Sequence, residues 1–179
     1  MLPCTRDRTH KAAVWMKENF VHEMAAAVGG TVFSVDHIWA IACQETAYLW
    51  LGWIDTMSVE NVLGRCIGDA SGDFPGTVRN AFPTNTDAFR AKYGNQLTDI
   101  LIGEANLSRA IRGFEPRDWV YKGYGIYQFD LQHILTDETF FRDRKWYSYG
   151  ECIVRLMQEL KHKYNVYQDI WLAIKAYNP

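Results

Sequence analysis

The stretch from Ser34 to Trp50 constrains the fold more than any other part of this 179-residue chain. Ser34 stands at an N-cap position, and Asp36 lies in the first turn that follows, where an acid interacts favourably with the helix dipole. Apolar side chains then occupy nearly every side of the predicted helix: Ile38, Trp39, Ile41, Ala42, Ala47, Tyr48 and Leu49. A helix that is apolar almost all round has to be buried. We therefore predict a central helix with the other elements packed around it.

Glu45 lies within this apolar helix. One turn before it stand Ile41 and Ala42, and one turn after it stand Tyr48 and Leu49, so its carboxyl shares a face with apolar side chains. Burial disfavours the charged form, and a protonated carboxyl is the state that a general acid requires. Two interpretations remain open: Glu45 is a catalytic acid, or it is a half-buried glutamate paired with a basic side chain or a backbone group.

The spacing of apolar residues predicts a mainly α-helical protein. Further helices are expected over about 10–28, 84–93, 97–113, 148–160 and 167–177. Between them, glycines and prolines mark the segment from 55 to 83 as a run of turns, and the stretch from 117 to 130 is expected to form a short hairpin or loop. No linker interrupts the chain, which favours a single domain.

The segment 124–130 reads Tyr-Gly-Ile-Tyr-Gln-Phe-Asp and combines polar groups with aromatic ones. Gln128 and Asp130 stand at alternate positions, so in an extended segment they face the same side, while Ile126, Tyr127 and Phe129 supply walls. This pattern predicts a lined site. The simpler interpretation is an ordinary edge strand that ends in a solvated acid.

Composition limits the classes of partner and cofactor. The formal net charge is -2, so no strong cationic field is available to hold nucleic acid. Cys4, Cys43, Cys66 and Cys152 lack the spacing of a zinc site, and we expect neither a metal nor another cofactor. Four cysteines allow three full disulfide pairings in an oxidising compartment, and the alternative that we favour is that Cys43 and Cys152 are buried free thiols. No apolar run is long enough for a membrane span, and 15% aromatic residues are enough to line a groove as well as a core.

Three short motifs, in this order, resemble the goose-type lysozyme and soluble lytic transglycosylase family. Gln44-Glu45-Thr46 is similar to the end of that family's catalytic helix, although serine usually follows the acid. Gly125-Ile126-Tyr127-Gln128 resembles its Gly-Leu-Met-Gln segment, with Asp130 two residues after the glutamine as in goose-type members. Ala176-Tyr177-Asn178 matches its Ala-Tyr-Asn segment. These motifs cover well under half of the chain.

The resemblance implies a lysozyme-like helical domain that cleaves the bond between N-acetylmuramic acid and N-acetylglucosamine in peptidoglycan. Carried over residue by residue, Glu45 is the general acid, and Asp130 is the candidate base that orients a water molecule. The remaining matched residues shape the sugar sites or position Glu45: Gln128, Tyr127, Tyr177, Asn178 and Thr46. Goose-type members have a second acid in a loop, and no residue of this chain matches it directly. The candidates for this acid are Asp118, Asp73 and Asp69.

The chain departs from the family in two regions. The segment between Glu45 and Gly125 is longer than the family needs, so about 55–116 is expected to be an inserted helical and loop region. After Asn178 the family continues with a glycine-rich turn and a helix that this sequence does not contain.

Two carboxylates flanking the scissile bond suit hydrolysis, whereas lytic transglycosylases of this family use the glutamate alone and close the substrate into an anhydro sugar. Asp130 therefore favours hydrolysis, with transglycosylation as the alternative. A lysozyme-fold module without catalytic activity, binding glycan or protein, is the rival from another class.

The implied substrate lies in the periplasm or the extracellular cell wall. Residues 1–17 carry charges where a signal peptide has an apolar centre. We therefore expect excision from a larger fusion protein or transport by a delivery apparatus, and an inhibitor or immunity protein is a further expected partner.

Overall fold

The computed structural model describes residues 5–68 and 70–177, and within them the protein is mainly α-helical, as predicted. Seven α-helices and one two-stranded hairpin account for its regular structure, with 65% of residues in helices. In chain order these are α1 (Arg6–Val28), α2 (Val35–Trp50), α3 (Val59–Gly64), α4 (Thr86–Ile111), β1 (Gly123–Tyr124), β2 (Phe129–Asp130), α5 (Glu138–Arg142), α6 (Tyr149–Tyr167) and α7 (Ile170–Tyr177). Two short 3₁₀ turns span Leu131–Leu135 and Lys145–Tyr147.

Helix α2 is buried along one side, where it packs on α1, but it is not surrounded on all sides as its apolar pattern predicts. Its N-cap Ser34 accepts a hydrogen bond from the backbone N–H of His37, and the His37 ring accepts one from the Ser34 backbone N–H in return. Trp50 is fully buried, and its ring stacks on Trp15 of α1 at 5.1 Å between centroids. Gln44 and Tyr48 remain exposed, so one side of the helix faces solvent.

The helix boundaries differ from the predicted ones at three places. Helix α1 begins earlier, at Arg6, because the Thr5 side chain accepts a hydrogen bond from the Arg8 backbone N–H. Helix α3 lies within the segment 55–83 that the sequence predicts as turns, whereas Gly94 separates two helical segments of α4 as predicted, with φ 76° and ψ 175°. Helix α6 extends to Tyr167, and α7 begins only at Ile170, after Gln168 turns the chain at φ 51°.

The predicted insertion, about 55–116, packs into the same core as the rest of the chain. Val62, Leu63, Leu97 and Leu101 are buried members of that core. A network around the buried Glu104 adds polar contacts: its carboxylate accepts from Arg65 at 2.9 Å and from Arg144 at 3.0 Å, and also from the Tyr147 hydroxyl. Arg144 therefore joins this segment to the chain before α6.

The short hairpin lies next to the loop that follows α3. Gly123 pairs with Asp130 and Tyr124 with Phe129, and Ile67 forms an antiparallel bridge to Tyr124. The N–H of Gly68 donates to the Gly123 carbonyl at 3.0 Å, and the N–H of Lys122 donates to Ala70 at 2.8 Å. The loop and hairpin together form a small three-stranded arrangement beside α2 and α6.

Cys66 and Cys152 have free thiols. Cys152 is buried, as predicted, while Cys43 is only half-buried. Burial raises the pKa of the Cys66 and Cys152 thiols, and neither is in the reactive thiolate form. Cys4 lies outside the described residues.

Candidate functional site

Two open cavities meet at the exposed side of α2. The aromatic cavity, about 680 Å³, lies between α2 and α7, and the hairpin cavity, about 590 Å³, lies between α2, the hairpin and the end of α6. Glu45 and Tyr177 line both cavities. Other side chains of the aromatic cavity include Trp39, Ile41, Gln44, Trp171, Ile174 and Lys175. Those of the hairpin cavity include Tyr48, Lys122, Gln128, Phe129, Asp130, His133, Glu159 and Lys163.

Glu45 is half-buried at the junction of these two cavities. Its neighbours on the core side of α2, Ile41, Leu49 and Trp50, are almost completely buried, so the helix that carries the carboxyl is fixed by packing. Three other candidates from the sequence, Gln128, Asp130 and Tyr177, line the hairpin cavity with Glu45. The structure therefore brings the principal candidates together in one concave site.

Gln128 occupies a left-handed backbone conformation, with φ 54°. Its side-chain amide donates to the carbonyl of Gly125 at 2.9 Å and to the carbonyl of Cys66 at 3.1 Å. A Cβ atom added at Gly68 or Gly123 would lie 2.3 Å from its Oε1 atom. The Gln128 side chain is thus held between two glycines, where it stabilises the turn that forms the edge of the cavity.

Asp130 borders the hairpin cavity and pairs with Arg79. The Arg79 guanidinium donates to Oδ1 at 2.6 Å and to Oδ2 at 3.2 Å, and Oδ1 also accepts from the Gln132 backbone N–H at 2.7 Å. Arg79 is 8% exposed, and it also donates to the carbonyls of Phe82 and Pro83. Most of the hydrogen-bonding capacity of the Asp130 carboxylate is therefore used by the protein itself.

Tyr177 joins the end of α7 to the hairpin segment. Its hydroxyl donates to the Tyr127 carbonyl, and burial together with the nearby charge of Glu45 raises its pKa well above the ordinary value. Tyr177 is therefore neutral at physiological pH and remains a hydrogen-bond donor. Asn178, the predicted neighbour in this motif, lies outside the described residues.

Tyr127 and Thr46, both predicted to bind substrate, have their side chains in the core. Tyr127 is 2% exposed and its hydroxyl bonds to that of Tyr149; burial raises its pKa well above the ordinary value. Thr46 is fully buried, donates to the Ile126 carbonyl at 2.7 Å and accepts from Trp50 at 3.0 Å. Direct sugar contact by either side chain is incompatible with this burial. Thr46 instead links the helix of Glu45 to the segment of Gln128.

The expected alternation over 126–130 fails for the same reason. Ile126 is fully buried, and of the three predicted walls only Phe129 lines the cavity. Gly125 has φ 78° and Gln128 has φ 54°, so the segment is a tight turn between two strands rather than one extended strand. Side chains alternate between two faces only where the backbone is extended.

The lower-ranked acids do not join the site. Asp73 binds the start of α4, whose N-cap is Asn85: its carboxylate accepts from the Thr86 N–H at 2.9 Å, from the Thr86 hydroxyl at 2.7 Å and from Ser71 at 3.1 Å. The Asp118 side chain is 86% exposed and lies 3.7 Å from Arg90. Neither residue lines either cavity. Asp69 lies outside the described residues.

Several site residues were not singled out from the sequence: Arg79, Lys122, His133, Lys163 and Trp171. Arg79 meets Asp130 across 51 positions of chain, and no local pattern indicates such a pair. Trp171 is 69% exposed in α7, and its ring meets His37 edge to face at 5.3 Å between centroids. The surplus of aromatic residues was a general signal that some rings line a groove, but it did not identify which ones.

Searches of the described chain for metal sites and membrane spans gave negative results. Over residues 5–68 and 70–177 no group of three or more His, Cys, Asp and Glu side chains is arranged to hold a metal ion. No helix there combines the length and apolarity that crossing a membrane requires.

Comparison with known proteins found no family model, no curated protein and no solved structure that matches the chain. Its function therefore has to be inferred from the chemistry of the site itself.

Proposed function

We propose that this protein has a lysozyme-like fold and cleaves the β-1,4 bond between N-acetylmuramic acid and N-acetylglucosamine in peptidoglycan, with Glu45 as the general acid. The observation that carries the proposal is the position of Glu45, half-buried on the rigid helix α2 where two cavities meet. A polymer that lies across both cavities presents the bond between two neighbouring sugars to this carboxyl. The motif resemblance of Glu45, Gln128 and Tyr177 supports the same assignment.

In the proposed reaction, Glu45 donates its proton to the glycosidic oxygen as the bond from this oxygen to C1 of the muramoyl residue breaks. Positive charge develops at C1, and a nucleophilic oxygen then attacks that carbon. The neutral Tyr177 hydroxyl, bound to the Tyr127 carbonyl, keeps the end of α7 beside Glu45. Gln128 acts by stabilising the hairpin turn through the Gly125 and Cys66 carbonyls, and Thr46 acts by linking that turn to α2 through the Ile126 carbonyl.

Whether water or a sugar hydroxyl attacks C1 depends on whether Asp130 acts as a base. Hydrolysis requires a base that takes a proton from water, and a proton on Asp130 would cost its pairing with the buried Arg79. The ion pair with Arg79 makes Asp130 a positioning residue and not a base. This favours transglycosylation, in which no such base is needed, as the second candidate reaction. In that reaction the C6 hydroxyl of the same muramoyl residue attacks C1, its proton passes to the Glu45 carboxylate, and an anhydro sugar is the product.

Digestion of purified peptidoglycan tests the proposal. Wild-type protein is expected to release soluble muropeptides, Glu45→Gln is expected to release none, and Glu18→Gln, an exposed acid on α1, serves as the matched control. Mass spectrometry in heavy-oxygen water then distinguishes the two chemistries. Labelled reducing ends indicate hydrolysis with Asp130 or another base, and unlabelled anhydro ends indicate transglycosylation. Equal release by wild type and Glu45→Gln would contradict the role of Glu45.

Binding without turnover would instead support the rival, a lysozyme-fold module that holds glycan or a partner protein. Under the proposed function the protein acts in the periplasm or on the extracellular cell wall, delivered by a secretion or lysis apparatus or as part of a fusion protein. A dedicated inhibitor protein would act by filling the cavities around Glu45.

A further inference from the structure

The hairpin cavity contains two lysines that the proposed cleavage chemistry does not use. Lys122 precedes β1, Lys163 lies near the end of α6, and both are half-buried and line the cavity. Within the part of the chain that the structure describes, neither ammonium group forms a salt bridge. Lysine ammonium groups held at the edge of a concave site are suited to binding anionic groups.

One acid of the same cavity is compensated by a permanently charged partner. Asp130 is paired with Arg79, and Glu159 has the His133 ring 3.9 Å away. Glu45 is neutral whenever it holds the proton that a general acid donates. In that state the two lysines and Arg79 exceed the two remaining carboxylates, so the cavity has a surplus of positive charge.

The aromatic cavity on the other side of Glu45 has a different character. The rings of Trp39 and Trp171 and the side chains of Ile41 and Ile174 dominate its lining. Besides Glu45, its charged side chains include Asp36 and Lys175, which have opposite signs, and the Asp36 carboxylate accepts a hydrogen bond from the Trp39 indole at 3.0 Å. Aromatic and aliphatic surfaces of this kind bind the apolar faces and acetyl groups of uncharged sugars.

We propose that the hairpin cavity binds the muramoyl side of the scissile bond, with Lys122 and Lys163 holding a carboxylate attached to that sugar, while the aromatic cavity binds the uncharged N-acetylglucosamine. This inference rests on the proposed function, and it defines the direction in which the glycan strand lies across Glu45. This carboxylate belongs either to the lactyl group of a peptide-free strand or to the stem peptide of a peptide-bearing strand.

Binding to a variant that does not turn over substrate tests this orientation directly. In a Glu45→Gln background, dissociation constants are measured by intrinsic tryptophan fluorescence for three ligands: chitooligosaccharide, peptide-free glycan strands and peptide-bearing strands. Lys122→Gln and Lys163→Gln are each expected to weaken binding of a carboxylate-bearing strand about tenfold, because a charge-assisted hydrogen bond is lost. Binding of chitooligosaccharide is expected to stay unchanged. Lys161→Gln, an exposed lysine on the same helix α6, is the matched control.

The outcomes separate this inference from the proposed function. A loss confined to peptide-free strands identifies the lactyl carboxylate, and a loss confined to peptide-bearing strands identifies the stem peptide. Equal weakening for all three ligands, or none for any of them, overturns the orientation even if Glu45-dependent cleavage is observed. Lysine-dependent binding without any cleavage by the wild-type protein would support the orientation and contradict the cleavage reaction.

Discussion

Replacing Arg79 by glutamine tests the structural basis of the hairpin cavity. The guanidinium is 8% exposed and makes two contacts to Asp130, with further hydrogen bonds to the carbonyls of Phe82 and Pro83. Removing one partner of a buried ion pair costs about 3–5 kcal/mol. Because the Asp130 side chain is 29% exposed and water can solvate part of its charge, we expect roughly 2–3 kcal/mol less free energy of unfolding in Arg79→Gln.

Urea unfolding monitored by tryptophan fluorescence measures this change. The matched control is Arg90→Gln, because Arg90 pairs with Asp99 at 2.7 Å but that partner is 63% exposed, and exposed pairs contribute about 0.2–1 kcal/mol. A double-mutant cycle with Asp130→Asn is expected to give a coupling energy of roughly 1–3 kcal/mol. If Arg79→Gln costs no more than Arg90→Gln, or the cycle shows no coupling, the pair does not organise the site.

Three further predictions follow from the fold. Glu104→Gln removes the carboxylate that pairs with Arg65 and Arg144, and it is expected to lower the free energy of unfolding by roughly 3 kcal/mol. An unchanged midpoint in chemical denaturation would contradict a stabilising role of this network. Gly68→Ala is expected to lower the free energy of unfolding by about 1–3 kcal/mol, because the new Cβ would lie 2.3 Å from the Gln128 side chain. Gly103→Ala in α4 has open space around the new Cβ and is expected to raise the free energy of unfolding by about 1 kcal/mol. Equal melting temperatures of the two variants would refute this difference. Burial raises the pKa of Tyr124 above the ordinary value of about 10, so this side chain loses its proton at a lower pH in the unfolded chain than in the folded one. The free energy of unfolding is therefore expected to fall as the pH rises above about 10. A urea midpoint that stays constant to about pH 11 would contradict this prediction.

Local signals were sufficient to predict most helices. Ser34 followed by a run of apolar residues placed α2, because an N-cap and a helical period are both local properties of the chain. The boundary between α6 and α7 was placed wrongly although a local signal was present. The Asp169 carboxylate accepts a hydrogen bond from the Leu172 backbone N–H at 2.8 Å, as an N-cap does, which explains the later start of α7.

The surroundings of a site residue could be predicted where they lie on a single helix. They could not be predicted where segments distant in sequence meet. The apolar helical surroundings of Glu45 predict its partial burial on α2 and leave its role open, and the pairing of Asp130 with Arg79 depends on tertiary contacts across 51 positions. The burial of Tyr127 depends on Tyr149 and on the turn at Gln128, and no periodic pattern contains that information. The Glu45 region could therefore be predicted, whereas the roles of its neighbours required the structure.

The initial rate of muropeptide release by wild type relative to Glu45→Gln tests the central claim most directly. The two proteins are compared on the same purified peptidoglycan after their folds are matched by circular dichroism and unfolding midpoint. General acid catalysis contributes roughly 10²–10⁴-fold to a rate, so we predict a loss of at least about a hundredfold in Glu45→Gln, with Glu18→Gln unchanged. Equal rates in wild type and Glu45→Gln, or no release by wild type, would contradict the account.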